Sequence, residues 1–187
     1  MSAAGLSQGV QGTFHLVVMG VSGCGKSAAG QAIAARLGLP LVEGDSFHPQ
    51  HNIDKMRQGL PLTDADRAGW LALLGEELRG RPQGAVLACS ALKAAYREVL
   101  RAAVPGLRFV HLALTEAQAL ERVATRAGHF YPPSLVASQF QALEDPSGEA
   151  GVVTVDATRP PQEVVAAAIE GLNGGRHRAS VDSTIRN

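Results

Sequence analysis

The chain has 187 residues, 45% hydrophobic and 18% charged, which suits one folded domain and excludes a disordered chain. Its 17 basic residues balance 17 acidic ones, so it lacks the basic excess of a general nucleic-acid binder and any positive site must be local. Cys24 and Cys89 provide neither a disulfide framework nor a metal cluster and fit a reducing cytoplasmic setting, and no signal peptide or membrane-length apolar run is legible.

Residues 1–12 read as a flexible N-terminus, 13–172 as the folded domain and 173–187, rich in Gly, Ser and Arg, as a disordered tail. The apolar run Phe14 to Met19 before a Gly-rich turn reads as a buried parallel strand. Lys26 to Leu37 is Ala-rich and helical, with Gly38 placed to end it. Leu41 to Asp45 reads as a second strand with polar residues at its end. Pro49 opens a helix to about Gln58, stopped by Gly59, and Thr63 or Asp64 caps another running through Trp70 toward Leu78. Ala85 to Cys89 is a strand and Lys93 to Ala102 a helix. Leu107 to Leu112 is a strand, and Thr115 caps a helix to about Arg126. After a loop from Gly128 to Pro133, Ser134 to Leu143 is helical, Val152 to Val155 is the last strand and Pro160 to Leu172 the last helix. Strands and helices alternate, which predicts an α/β fold: a mostly parallel five-stranded sheet covered on both faces in three αβα layers.

Gly20, Val21, Ser22, Gly23, Cys24, Gly25, Lys26 and Ser27 fit the pattern G-x-x-x-x-G-K-S/T, with an apolar strand before it and a helix after it. Glycines let the backbone wrap and turn its N–H groups toward phosphate oxygens, while the helix N-terminus adds partial positive charge. Lys26 is placed to reach the β- and γ-phosphates of ATP and Ser27 to offer its hydroxyl to Mg²⁺. Cys24 reads as a small residue that fits the loop. No guanine-reading NKxD pattern is present, and no strand ends in a clear second metal-binding aspartate. Asp45, at the expected end of the second strand, is the candidate carboxylate for the metal, directly or through water; ligands of open parallel sheets gather at such strand ends.

Between Gly44 and Leu71 polar groups crowd together: Asp45, His48, Asn52, Lys55, Arg57, Asp64, Asp66 and Arg67. Such a set suits a polyhydroxylated anionic acceptor, whose hydroxyls pair with carboxylates and amides and whose carboxylate pairs with Lys or Arg. The run Gly44-Asp45-x-x-His48-Pro49-x-x-Asn52-x-x-Lys55-Met56-x-x-Gly59-x-Pro61-Leu62-x-Asp64-x-Asp66-Arg67-x-x-Trp70-Leu71 resembles the signature of the gluconokinase family of small P-loop kinases. So do Cys89-Ser90-Ala91-Leu92-Lys93-x-x-Tyr96-Arg97, Arg126-x-Gly128-His129-Phe130, Ser138-Gln139-Phe140 and Leu143-Glu144-x-Pro146. The resemblance covers roughly residues 14 to 171 and departs at Gly69, where the family usually carries proline. It implies a nucleoside-monophosphate-kinase-like fold with a small lid and substrate-binding helices, and commonly a homodimer. It also implies ATP-dependent phosphorylation of D-gluconate at the 6-hydroxyl, feeding the pentose phosphate or Entner-Doudoroff route. A shikimate-like kinase of the same fold and a non-catalytic nucleotide-binding regulator stay open as alternatives. Neither a nucleic acid nor a membrane is expected as a partner.

Each candidate has a plain structural alternative. Asp45 either orients or deprotonates the acceptor hydroxyl, or caps a helix. His48 binds the sugar acid or shares the base role, or is a loop residue. Lys55 and Arg57 lie two apart and cannot share a helical face, so at most one points into a cleft. Arg67 follows two acids and pairs with them in the plain reading. Lys93, Tyr96 and Arg97 follow the third strand as a candidate acceptor-binding group. Arg122 and Arg126 share a helical face and are candidates for the nucleotide, with His129 in the loop beside them a candidate for the acceptor; in the lid reading Arg126 stabilises transition-state charge on the phosphates, and in the plain reading both are exposed helix arginines. Trp70 and Phe140 read as core, and Asp156 as a strand end.

Overall fold

Every residue of β1 (Phe14–Met19) is buried, because its two faces serve two different cores. The computed structural model describes residues 14–125 and 132–182. β1 lies at the centre of one sheet with β2 (Leu41–Glu43), β3 (Gly84–Ala88), β4 (Arg108–Ala113) and β5 (Val152–Asp156). The strand order is β2-β3-β1-β4-β5, and every neighbouring pair is parallel. Alternate residues of a strand face opposite sides. Leu16 and Val18 therefore pack with Val86, Val110, Ile33 and Ala168 on one face, and Val17 and Met19 with Leu87, Phe109, Leu74 and Leu100 on the other. The first core is covered by α1 (Lys26–Leu37), α6 (Pro133–Ala142) and α7 (Pro161–Asp182), and the second by α3 (Asp64–Arg79) and α4 (Ala94–Ala103). α2 (Gln50–Arg57) and α5 (Glu116–Thr125) complete the described helices. The αβα expectation holds, and the sheet is wholly parallel.

Three features of the fold go beyond the sequence reading. First, β2 stops at Glu43, and a 3-10 turn, Gly44–Phe47, carries Asp45 off the strand end. Gly44 permits this path, because a Cβ there would meet the Ala88 carbonyl oxygen at 2.7 Å. Second, β1 and β2 are not neighbours; β3 lies between them, so the turn after Cys89 separates the phosphate loop from the Asp45 segment. Third, α7 continues to Asp182, ten residues past the end of the apolar period at Leu172. Gly174 and Gly175 made that stretch read as a tail; once a helix is nucleated, each further residue adds a hydrogen bond at low cost.

α3 starts where its sequence directs. The Thr63 hydroxyl accepts from the Asp66 N–H at 3.2 Å, and the Asp66 carboxylate accepts from the Thr63 N–H at 2.8 Å, a complete capping box.

Candidate active site

β1 ends in a loop that only glycine can begin. Gly20 has φ 144°, and a Cβ there would press on Cys24 Sγ at 2.8 Å and the Leu112 carbonyl at 2.9 Å. The loop delivers Lys26 and Ser27 to the first turn of α1, whose N-cap Gly25 supplies no side-chain acceptor. The free N–H groups of that turn suit an anion. Lys26 Nζ donates to the Val21 carbonyl at 3.1 Å, folded over the loop it serves. Burial pushes the Cys24 thiol pKa up, so it stays protonated and acts as packing.

Ser27 Oγ donates to Glu43 Oε2 at 3.0 Å. The carboxylate beside the loop serine is therefore Glu43, not Asp45, because the strand ends two residues earlier than expected. Asp45 stands on the 3-10 turn with its side chain 82% exposed. His48 Nε2 lies 3.9 Å from Asp45 Oδ1, and the His48 ring stacks on Trp70 at 4.1 Å and 15°. Trp70 Nε1 also donates to the Gly44 carbonyl at 2.8 Å. Trp70 is core, as expected, and it also fixes the turn that carries Asp45.

Two cavities flank the phosphate loop. One, of about 760 Å³, is mostly apolar and opens between α1, α5 and the segment after β5; Cys24, Ala28, Ala32, Arg122, Thr158 and Pro160 are among its walls. Arg122 Nη2 donates to the Ala157 carbonyl at 2.7 Å and Nη1 to the Gly23 carbonyl at 3.5 Å, so this arginine ties cavity and loop together. The other, of about 310 Å³, is lined by Thr63, Asp64, Arg67, Lys93, Tyr96 and Gln139, among others. Here Lys93 Nζ donates to Asp64 at 2.8 Å, and the Tyr96 hydroxyl donates to the same carboxylate. These two hydrogen bonds hold the Asp64 pKa below its usual value.

The structure thus brings Lys93 and Tyr96 together, as their spacing predicts, and adds Asp64. It does not add Arg97. That guanidinium is fully buried: Nε donates to Glu149 at 3.0 Å, Nη1 to the Ala91 and Leu92 carbonyls at 2.8 and 2.9 Å, and Nη2 to the Glu144 carbonyl at 3.1 Å. Assigning it to the acceptor is corrected: α4 turns Arg97 inward, where it clamps two loops. Lys55 is committed to Asp66 at 2.7 Å, and Arg57 is exposed; among the described residues neither lines the polar cavity, because α2 packs on the start of α3. That Lys55 hydrogen bond, with those from Thr63, holds the Asp66 pKa far below the usual carboxylate range. Arg67 pairs with neither acid. It donates to the Leu62 carbonyl and lies over the Tyr96 ring at 5.6 Å, on the cavity wall. Arg126 and His129 lie outside the described residues.

Sequence reasoning missed Glu43 and Gln139, while Arg67, one of the polar set it singled out, proves to be a wall residue. Gln139 lines the polar cavity, and its Oε1 accepts from the Ser22 N–H at 2.6 Å, joining that cavity to the phosphate loop. Position in the Ser138-Gln139-Phe140 motif was the available signal; the partner 117 residues away was not legible.

A scan against protein-family models finds no match. A gluconokinase of Gluconobacter oxydans is 46% identical over 153 residues, 80% of this chain and 86% of that one. The chain belongs to the gluconokinase family. A further relative, the thermosensitive gluconokinase of Escherichia coli, is 42% identical over 75% of this chain and 77% of its own length. The crystal structure of a gluconokinase from Sinorhizobium meliloti superposes with a TM-score of 0.84 at 47% identity, covering 91% of this chain and 97% of that one. The three layers of this gluconokinase-family chain are therefore a fold found in a solved member. Among the described residues, no helix is long and apolar enough to cross a membrane.

Proposed function

We propose that this chain transfers the γ-phosphoryl group of ATP to the 6-hydroxyl of D-gluconate, giving 6-phosphogluconate and ADP. The observation that carries the reading is the junction at Gln139, where a phosphate loop and a polar, mixed-charge cavity share one side chain. The cavity's volume lies in the range of small-molecule sites. Arg67 and Lys93 supply cations for a sugar-acid carboxylate, and Asp64 and Tyr96 supply partners for hydroxyls. The apolar cavity beside Arg122 is the place for the nucleoside. The gluconokinase relatives support the choice of acceptor.

Ser27 Oγ and the Glu43 carboxylate form an all-oxygen donor pair that fits Mg²⁺, a hard cation that keeps waters and phosphate oxygens as its other ligands. When bound, Mg²⁺ neutralises charge on the β- and γ-phosphates. Lys26 binds the same oxygens. Asp45 is an exposed carboxylate of the acceptor segment, 82% open, and accepts the hydrogen bond of the attacking hydroxyl. Because transfer passes through a loose transition state, Asp45 contributes more by orientation than by strength as a base. The family resemblance adds a homodimer to this reading, which a solution mass measurement checks.

A coupled assay for ADP tests the proposal. Release that depends on D-gluconate, and is absent with shikimate or nucleoside monophosphates, is the expected result. ADP release indifferent to gluconate would overturn it.

A further inference from the structure

His48 sits in an environment that assigns its proton. Its ring is held at the base of the acceptor segment, stacked on Trp70, with its side chain 5% exposed. On one edge, Nδ1 lies 3.3 Å from Asn52 Nδ2. On the other edge, Nε2 faces Asp45 Oδ1 at 3.9 Å. Asn52 itself is fully buried, and its Nδ2 also donates to the Asp66 carbonyl at 2.9 Å.

The orientation of the Asn52 amide follows from that second bond. A carbonyl oxygen only accepts, so the amide atom facing Asp66 O must be the nitrogen. Turning the amide over would set two oxygens against each other at 2.9 Å, whereas the orientation observed leaves only the buried Oδ1 without a partner. With the nitrogen in place, the atom that faces His48 Nδ1 is a donor. In a neutral imidazole one nitrogen accepts and the other carries the hydrogen. Nδ1 accepts, so Nε2 carries it.

We infer that Asn52 is a positioning residue that locks His48 in the neutral Nε2–H tautomer, making His48 a hydrogen-bond donor to acceptor oxygens and not the base. Burial favours the neutral ring, Asp45 opposes it and Arg67 reinforces it; these are the charged groups that act on His48, while Trp70 and Asn52 are its neutral neighbours. Proton acceptance at the transferred hydroxyl then falls to Asp45. The Nε2–H also gives the site a means of selection: it rewards an oxygen acceptor with lone pairs at that point and leaves a buried donor unpaired when the oxygen is missing.

The inference rests on the gluconate reading only for its kinetic arm. The first measurement needs no substrate: nitrogen NMR of ¹⁵N-histidine-labelled protein, with the His48 signals assigned by difference from His48→Gln. The expected result at neutral pH is hydrogen on Nε2. In Asn52→Leu the same signals should move toward a mixture of tautomers. Hydrogen found on Nδ1 in the wild type, or an unchanged Nε2–H tautomer in Asn52→Leu, would sink the claim.

The second measurement compares His48→Gln, whose amide nitrogen replaces the donor but cannot serve as a base, with His48→Leu, which has neither property. His48→Gln should keep kcat within about tenfold, and His48→Leu should lose more, chiefly through KM for gluconate. Equal losses of a hundredfold or more in kcat, the size expected on removing a general base, would overturn the donor assignment. Should the wild type fail to phosphorylate gluconate at all, the acceptor reading falls, while the tautomer still stands or falls by NMR.

Discussion

At single residues, chemistry and support are divided between neighbours. Lys26 supplies charge while the surrounding loop supplies shape, so the two are separable. Lys26→Ala should cut kcat by on the order of 10²–10³-fold, the loss typical of one electrostatic group at the reacting centre. Its thermal midpoint should stay within a degree or two of wild type, because Lys26 reaches no further than the Val21 carbonyl of its own loop. Steady-state kinetics with a melting curve check both expectations; near-normal kcat would remove Lys26 from the mechanism. Trp70 has the opposite character. Trp70→Phe keeps a ring under His48 but leaves the Gly44 carbonyl without its donor, which should lower stability by about 1–2 kcal/mol. The displaced turn carries Asp45, so KM for gluconate should rise while KM for ATP holds; equal changes in both would show that the turn does not position the acceptor.

At the scale of elements, the loop between β3 and α4 is held in place by charge. Ala91 takes φ 45°, a left-handed conformation that costs a non-glycine residue energy. The Arg97 side chain binds the carbonyls of Ala91 and Leu92 and reaches Glu144 and Glu149 of the loop before β5. Glu144 answers with its own bonds, its carboxylate accepting from the Ala94 N–H at 2.6 Å and its N–H donating to Leu92 O at 2.9 Å. Parts of two stretches of the family signature thus form a single clamp, Arg97 with Ala91 and Leu92 in one and Glu144 in the other. Removing one partner of a buried ion pair costs roughly 3–5 kcal/mol. Arg97→Met should therefore lose about 3 kcal/mol, the lower end, since Glu149 keeps Arg101 at 2.8 Å. Urea titration measures it; a loss below about 1 kcal/mol would mean the loop holds its shape unaided.

Across the whole molecule, burial of histidine links stability to pH. His15, His48 and His111 all have pKa values lowered from 6.5, with desolvation as the leading cause. The unfolded chain therefore binds more protons than the folded one between 6.5 and the depressed values. Their contribution is complete above about pH 6.5 and is lost as pH falls through that window. A second loss should follow at lower pH, where Asp64, Asp145 and Glu149, all with pKa values held down by hydrogen bonds, become protonated. The urea midpoint should drop between pH 7.5 and 5.5, and replacing His15 and His111 together by Gln should flatten that step. An unchanged midpoint in the wild type would mean these rings are no less easily protonated when folded.

The sequence by itself determined whatever depends on local pattern: the strand-turn-helix of the phosphate loop, the alternation that makes a parallel sheet, the Thr63 cap, and the pairing of Lys93 with Tyr96 on one helical turn. It also carried the family signature. Only the tertiary structure decided which strand ends meet, because strand order is a long-range property that no window reveals. The insertion of β3 between β1 and β2, the reach of Glu43 to Ser27, the burial of Arg97 and the seat of Gln139 on Ser22 all follow from that order. Each joins residues distant in the chain, and a side chain's partner is fixed by packing rather than by its own kind.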